Sequence, residues 1–219
     1  MTIDIFETAD GSHSLFHAGL NETYHSRHGA LQESMHVYIK AGLDHVASRV
    51  PGEIHLFEMG FGTGLNAMLT QAWADKYQRL VRYTSIEAYP LPAEVWRQMN
   101  YGVLLQQADA FEQLHSTAWN REAKLSDHFN IQKYQTGLAD FQTNNRFHLV
   151  YYDAFAPEKQ PELWTVAIFE KLRALLRPGG VLVTYCAKGQ VKRNFKAAGF
   201  SVESLQGPPG KREMIRCTA

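Results

Sequence analysis

Nine residues, Glu58-Met59-Gly60-Phe61-Gly62-Thr63-Gly64-Leu65-Asn66, set the architecture of this chain through what stands on either side of them. Before them, residues 53–58 read E-I-H-L-F-E, a short β-rich run of the kind that forms a buried strand. After them, Leu65, Ala67, Met68, Leu69, Ala72 and Trp73 recur at helical spacing as far as Tyr77. Strand, tight glycine turn and helix make one unit of an α/β sheet.

The alternation continues toward the C-terminus. Val81 to Glu87 is a second strand, Pro90 to Met99 starts a helix with proline tolerated in its first turn, and Gln106 to Trp119 is helical as well. His128 to Tyr134 is a third strand, and Phe147 to Asp153 (F-H-L-V-Y-Y-D) is a fourth whose near-continuous apolar run marks it as central. Glu162 to Leu176 is an amphipathic helix stopped by Arg177-Pro-Gly-Gly180, leading into the strand Val181 to Tyr185. A basic helix, Gln190 to Ala198, closes at Gly199. The strands Phe200 to Leu205 and Arg212 to Cys217 then flank the turn Gly207-Pro-Pro-Gly210. The predicted class is α/β: a doubly wound, Rossmann-like sheet of seven strands, mostly parallel, with an antiparallel C-terminal edge. Residues 1–50 stand outside it as an N-terminal extension packed on a catalytic domain of residues 51–219. The extension carries a hairpin near Ala18-Gly19-Leu20-Asn21 and a helix from Leu31 to Ser48.

Composition agrees with one folded unit. The chain has 219 residues, 45% of them hydrophobic and 20% charged, enough for a single substantial core without low-complexity tracts. Twenty-two basic residues balance twenty-two acidic ones, which excludes a polycation that coats nucleic acid and confines any RNA-binding surface to a local patch. The two cysteines, Cys186 and Cys217, lie in apolar segments without metal-ligand spacing and point to a reducing compartment. Residues 1–14 lack the pattern of a signal peptide, and no run approaches the ~20 apolar residues of a membrane span, so a cytoplasmic location is expected.

Three constellations carry chemistry. The glycines bring backbone close to a ligand at a helix N-terminus, and their G-x-G-x-G spacing departs from the G-x-G-x-x-G that admits a pyrophosphate. Glu58 just before them would repel phosphate and meet an ammonium, and Glu87 ends the second strand, where such folds bind ribose hydroxyls. S-adenosylmethionine has an ammonium and no phosphate; a structural turn with surface acids is the other reading. The second constellation is Tyr151-Tyr152-Asp153-Ala154-Phe155-Ala156-Pro157, an acid at the carboxyl end of the central strand. Asp153 there can orient an amine and take its proton while Tyr152 and Phe155 face a sulfonium, or it can cap the next helix. The third is basic: Lys188, Lys192, Arg193 and Lys196 on one helix, then Lys211, Arg212 and Arg216, either a phosphate-binding side or a solvated face. The histidine pairs His13/His17 and His25/His28 lack further ligands, so no metal is expected.

Four segments together, Gly29-Ala-Leu31-Gln32-Glu33-Ser34, residues 57–66, Asp153-Ala-Phe-Ala-Pro-Glu-Lys-Gln-Pro-Glu-Leu-Trp164 and Gly210-Lys-Arg-Glu-Met214, resemble the MnmC methyltransferase domain over nearly the whole chain. The resemblance implies a class I S-adenosylmethionine-dependent fold. It also implies N-methylation of the aminomethyl group on the tRNA wobble uridine, giving 5-methylaminomethyl-2-thiouridine. It places Asp153 as the active-site acid and Glu58, Gly60, Gly62, Gly64, Asn66 and Glu87 around the cofactor. Gln32 and Glu33 close the pocket from the extension, and Lys211 and Arg212 lie toward the RNA. The wobble base sits in the single-stranded anticodon loop and can enter a pocket without breaking a duplex. Many family members carry a flavin-dependent oxidase domain that exposes the amine. This sequence has no second glycine fingerprint, resembles the standalone form, and implies that another enzyme supplies the aminomethyl-tRNA. After the third strand, Tyr134-Gln-Thr-Gly137-Leu-Ala-Asp140 leaves adenine to backbone groups near Gly137 or to a shifted Asp140. A methyltransferase for a small amine or another base, and a noncatalytic module on the same fold, are the alternatives.

Overall fold

A computed structural model describes residues 3–219. The N-terminal segment forms an antiparallel sheet of β1 (Ile3–Glu7), β2 (His13–His17) and β3 (Glu22–Thr23), with the reversal between β2 and β3 where the sequence predicts a hairpin. The β1–β2 turn caps the helix that follows. Ser12 Oγ accepts from the N–H groups of Ala30 and Leu31 at 3.1 and 3.3 Å, and Asp10 Oδ2 accepts from that of Gln32 at 2.9 Å. Three otherwise unpaired N–H groups of a helix start are thereby satisfied. This helix, α1 (30–47), is wound as a π-helix over Met35–Asp44, a widening that periodicity does not reveal.

Next come β4 (Ile54–Met59), α2 (Leu65–Tyr77) and β5 (Val81–Glu87), close to the predicted boundaries. The predicted helix over 90–99 is instead two short turns, α3 (Ala93–Trp96) and α4 (Tyr101–Leu104). The break falls at Asn100, whose side chain accepts from His13 N–H and donates to Gly11 O, both at 2.8 Å, tying the main unit to the extension. Helix α5 is shorter than expected, Ala108–Ser116, because Gln106 and Asn120 adopt positive φ at its flanks. The chain continues through β6 (Glu122–Lys124), β7 (Phe129–Gln135), β8 (Phe147–Tyr152), a 3₁₀ turn (Pro161–Trp164) and α6 (Val166–Leu175). It ends with β9 (Leu176–Thr184), α7 (Gly189–Ala197), β10 (Ser201–Gln206) and β11 (Glu213–Thr218).

The main sheet has eight strands in the order β10-β11-β9-β8-β4-β5-β7-β6, one more than the sequence predicts. The extra strand, β6, pairs antiparallel with β7, so both edges are antiparallel around a parallel centre. Arg177-Pro-Gly-Gly180 belongs to β9 as a bulge, with Phe147 opposite Leu176 and Leu149 opposite Val181. The bulged glycines pair with the last residue, Gly179 N–H to Ala219 O and Ala219 N–H to Gly180 O.

The sheet carries a core on each face. Helices α1 and α2 cover Leu56, Tyr83, Leu149 and Tyr151, whereas α6 and α7 cover Phe57, Val150, Tyr152 and Leu182. Strand β4 is central, with β5 on one side and β8 on the other. The chain winds outward from β4 in one direction and later returns to start in the other. That reversal opens a crevice at the carboxyl ends of β4 and β8, where sheets of this type bind ligands.

Candidate active site

The residues leaving β4 and β8 meet in this crevice. Asp153 N–H donates to Met59 O at 3.2 Å, and a Cβ on Gly60 would stand 2.8 Å from Asp153 O. Gly60 also has φ +92°, so no other residue fits here without strain. Gly64 starts α2 at φ +74°, and a Cβ there would meet His115 Nε2 at 2.7 Å. That Nε2 lies 3.1 Å from Thr63 O, the His115 ring stacks on Trp96, and burial lowers its pKa to about 3. Behind the loop, Lys133 donates to the carbonyls of Leu114 and His115 at the end of α5, at 2.8 and 3.0 Å, a favourable position for a cation. Glu87 is fixed by two backbone donors, Gly62 N–H at 3.1 Å and Tyr89 N–H at 2.9 Å.

A cavity of about 610 Å³ opens over this loop. Gly60, Gly62, Asn66, Glu87, Asp153 and Phe155 line it, and Glu33 reaches it from the extension. Five carboxylates, Glu22, Glu33, Glu87, Asp153 and Glu162, face the cavity, and among the described lining residues Lys211 is the one lysine or arginine. Such a lining attracts cationic and amine ligands. The extension supplies a wall that the sequence does not announce: His17, Tyr24 and His25, with Tyr24 packed edge-on against Phe155 at 5.1 Å between ring centroids. Burial lowers the His25 pKa to about 4, so its imidazole is neutral.

Asp153 follows β8 directly and does not cap a helix. Its Oδ2 accepts from Asn66 Nδ2 at 2.9 Å, while the Tyr38 hydroxyl from α1 lies beside it without reaching hydrogen-bond geometry. Burial is the largest influence on this carboxyl and pushes its pKa to about 6, with Tyr38, Asn66 and Lys211 opposing the rise. The loop after it is held by its own motif. Gln160 Oε1 accepts from Phe155 N–H at 3.1 Å, Trp164 Nε1 donates to Phe155 O at 2.8 Å, and the Tyr185 hydroxyl donates to Ala154 O at 2.9 Å. The spacing from Asp153 to Gln160 and Trp164 thus serves to fix backbone beside the acid.

Several expected contacts are placed differently. Glu58 does not line the cavity; it is fully buried beneath the loop, where Ser85 Oγ donates to it at 2.7 Å. Gln32 is exposed and outside the wall, because the helix rotation that turns Glu33 inward turns its neighbour out. Lys211 lines the cavity: its Nζ pairs with Glu33 Oε1 and lies 3.8 Å from the Tyr185 ring centroid. The contact spans 178 residues of sequence, and the tight Gly207–Gly210 turn brings it about. On the basic face, Lys188 pairs with Glu158 and Lys192 with Glu213, whereas Arg193 bonds to Gln190 and Arg212 is exposed. Asp140 is exposed and off the wall, and Thr136, Gly137 and Leu138 line it instead. Among the described residues no group of three or more His, Cys, Asp or Glu is arranged to hold a metal, and no helix is long and apolar enough to cross a membrane.

The glycine loop, Glu87 and the half-buried carboxylate of Asp153 surround one crevice, and the comparisons give the class of the protein. The family model described as S-adenosyl-L-methionine-dependent methyltransferase matches residues 102–219, and the chain belongs to that family. It is 33% identical over 208 residues to the tRNA 5-methylaminomethyl-2-thiouridine biosynthesis bifunctional protein MnmC of Cupriavidus metallidurans, covering 89% of this chain and 31% of that protein. To the protein of the same name from Chromohalobacter salexigens it is 28% identical, covering 94% and 31%. The chain therefore spans about a third of the length of these curated relatives. Among solved structures, MNMC2 from Aquifex aeolicus superposes with a TM-score of 0.75 at 25% identity, over 99% of this chain and 70% of that one. Spermidine synthase from Thermotoga maritima superposes at 0.61 with 16% identity, over 99% and 68%, a likeness of fold alone.

Proposed function

We propose that this chain methylates the aminomethyl nitrogen of the tRNA wobble uridine, forming 5-methylaminomethyl-2-thiouridine in the cytoplasm. The observation that carries the reading is Asp153: a half-buried carboxylate opening into the same cavity as the glycine loop and Glu87. The MnmC names of the relatives support the substrate.

The residues fit S-adenosylmethionine. Glu87, pinned by two N–H groups, keeps lone pairs for ribose hydroxyls, and the carboxylate-rich lining suits a ligand with cationic groups and no phosphate. Gly60, Gly62 and Asn66 hold it in this reading, with Gly64 shaping the turn beneath. When bound, it supplies an electrophilic methyl group on a cationic sulfur. Asp153, ionised above about pH 6, accepts a hydrogen bond from the substrate amine, orients its lone pair and takes the proton that methylation releases. Tyr24 and Phe155 offer aromatic faces to the base, which the anticodon loop presents. Residues 1–50 and 51–219 act together, the extension roofing the cavity of the catalytic part. Arg193 and Arg212 are the candidates for phosphate contact.

A small amine is the second reading, favoured by the ion pairs that neutralise Lys188 and Lys192. Labelled methyl transfer separates the two. The proposal requires incorporation into tRNA bearing 5-aminomethyl-2-thiouridine and none into tRNA bearing the carboxymethylaminomethyl form; incorporation into free amines without tRNA supports the second reading.

A further inference from the structure

Strand β4 turns Ile54, Leu56 and Glu58 toward one face of the sheet, the face covered by α1 and α2. Glu58 stands in register with Ser85 on β5 and Tyr151 on β8, and none of it reaches solvent. Its surroundings are hydroxyls, an amide and one acid. Ser85 Oγ donates to Oε2 at 2.7 Å, Tyr83 and Tyr151 face it from the flanking strands, and the Asn66 amide comes from α2 with Asp153 beyond. No cation is among these neighbours.

Glu58 Oε1, Asn66 Oδ1 and the Tyr83 hydroxyl are all buried without a partner. With Glu58 ionised, the Tyr83 O–H is the one donor for the three oxygens of this cluster, whereas a neutral carboxylic acid adds a second. Asn66 Nδ2 donates one N–H to Asp153, and its Oδ1, the amide's one acceptor, is left without a donor. The same burial raises the Glu58 pKa to about 8, outweighing the neighbouring Ser85, Tyr83 and Asn66 donors that favour the ionised form.

We propose that Glu58 is an uncharged positioning residue: its carboxylic O–H donates into the buried Asn66–Tyr83 cluster and fixes the Asn66 amide in the orientation that donates to Asp153. The site thus holds two carboxyl groups in different states, a neutral one below the loop and the ionised one in the cavity. The inference rests on the reading of Asp153 as the active-site acid, but the protonation of Glu58 is measurable without substrate.

Infrared difference spectra of wild type against Glu58→Gln at pH 7, without substrate or cofactor, test the first half. Wild type has the C=O stretch of a protonated carboxylic acid, retained in Asp153→Asn and lost in Glu58→Gln; absence of that band from wild type overturns the proposal. Steady-state kinetics test the second half. Glu58→Gln, which keeps a donor, loses roughly threefold or less in kcat, whereas Glu58→Leu loses roughly tenfold or more and moves the acid limb of the pH profile upward. A Glu58→Gln enzyme whose S-adenosylmethionine KM rises about tenfold, as removal of an ionised cofactor contact requires, refutes the positioning role. Should Glu58→Leu fail to fold, the Glu58→Gln arms still decide. Should tRNA transfer be absent altogether, the spectra still decide Glu58 and the failure falls on the substrate assignment.

Discussion

Asp153→Asn separates what this carboxyl does for chemistry from what it does to stability. Burial raises the carboxyl from 3.8 to about 6, so the folded protein holds this proton more tightly than the unfolded chain does. Below pH 4 both states are protonated and the difference vanishes. Between pH 4 and 6 the unfolded chain ionises first, and wild type loses stability as pH rises. Above pH 6 the loss is complete, about 3 kcal/mol at ~1.4 kcal/mol for each pH unit. Asparagine carries no charge and keeps an oxygen for Asn66 Nδ2, so the variant escapes the loss. Its melting temperature at pH 8 should exceed that of wild type by several degrees, given about 2–4 °C per kcal/mol in a chain of this length. Methyl transfer should fall by roughly 10²–10⁴ because the proton acceptor is gone. Thermal denaturation of both proteins at pH 5 and pH 8 is the assay. A variant that melts at or below wild type at pH 8, or a difference that does not shrink at pH 5, refutes the reasoning.

Gly60→Ala combines a positive φ with a Cβ 2.8 Å from Asp153 O, and it should cost about 1–3 kcal/mol in denaturant titrations and abolish S-adenosylmethionine binding by calorimetry. Lys211→Met leaves the buried Glu33 without its cation, with only the Ser26 N–H still donating to it; because Lys211 is 31% exposed, the loss should be about 1–3 kcal/mol, with Glu33→Gln added to it restoring part, as a double-mutant cycle will read. Tyr24→Ala removes the aromatic wall opposite Phe155 and should raise the tRNA KM more than it lowers kcat. Arg193→Ala with Arg212→Ala should weaken tRNA binding and flatten its salt dependence, the logarithmic slope falling by about one for each phosphate no longer neutralised; Lys188→Ala, whose charge Glu158 already meets, should do less.

The centre of the fold was legible because its signals are local. The buried run of β4, the glycines and the helical period of α2 are contiguous, and those elements form where they are read. Asp153 was legible as an acid ending an apolar strand. What escaped depends on distant partners. Strand β6 has only three residues, E-A-K, and exists because β7 offers an edge. Lys211 is a surface residue by composition until a turn docks it on Glu33. The wall of His17, Tyr24 and His25 belongs to a small sheet whose approach to the crevice no periodicity encodes. Glu58 carried a signal that the glycine motif masked: with Ile54 and Leu56 it occupies alternate positions of one strand, so all three share the interior face.

The most direct test of the account is nucleoside analysis of tRNA bearing 5-aminomethyl-2-thiouridine after incubation with this protein and S-adenosylmethionine. The account predicts one added methyl on the aminomethyl nitrogen, conversion to 5-methylaminomethyl-2-thiouridine, and its loss in Asp153→Asn. An unmodified wobble nucleoside from protein that binds S-adenosylmethionine, or a methyl found at any other position of the tRNA, would contradict it.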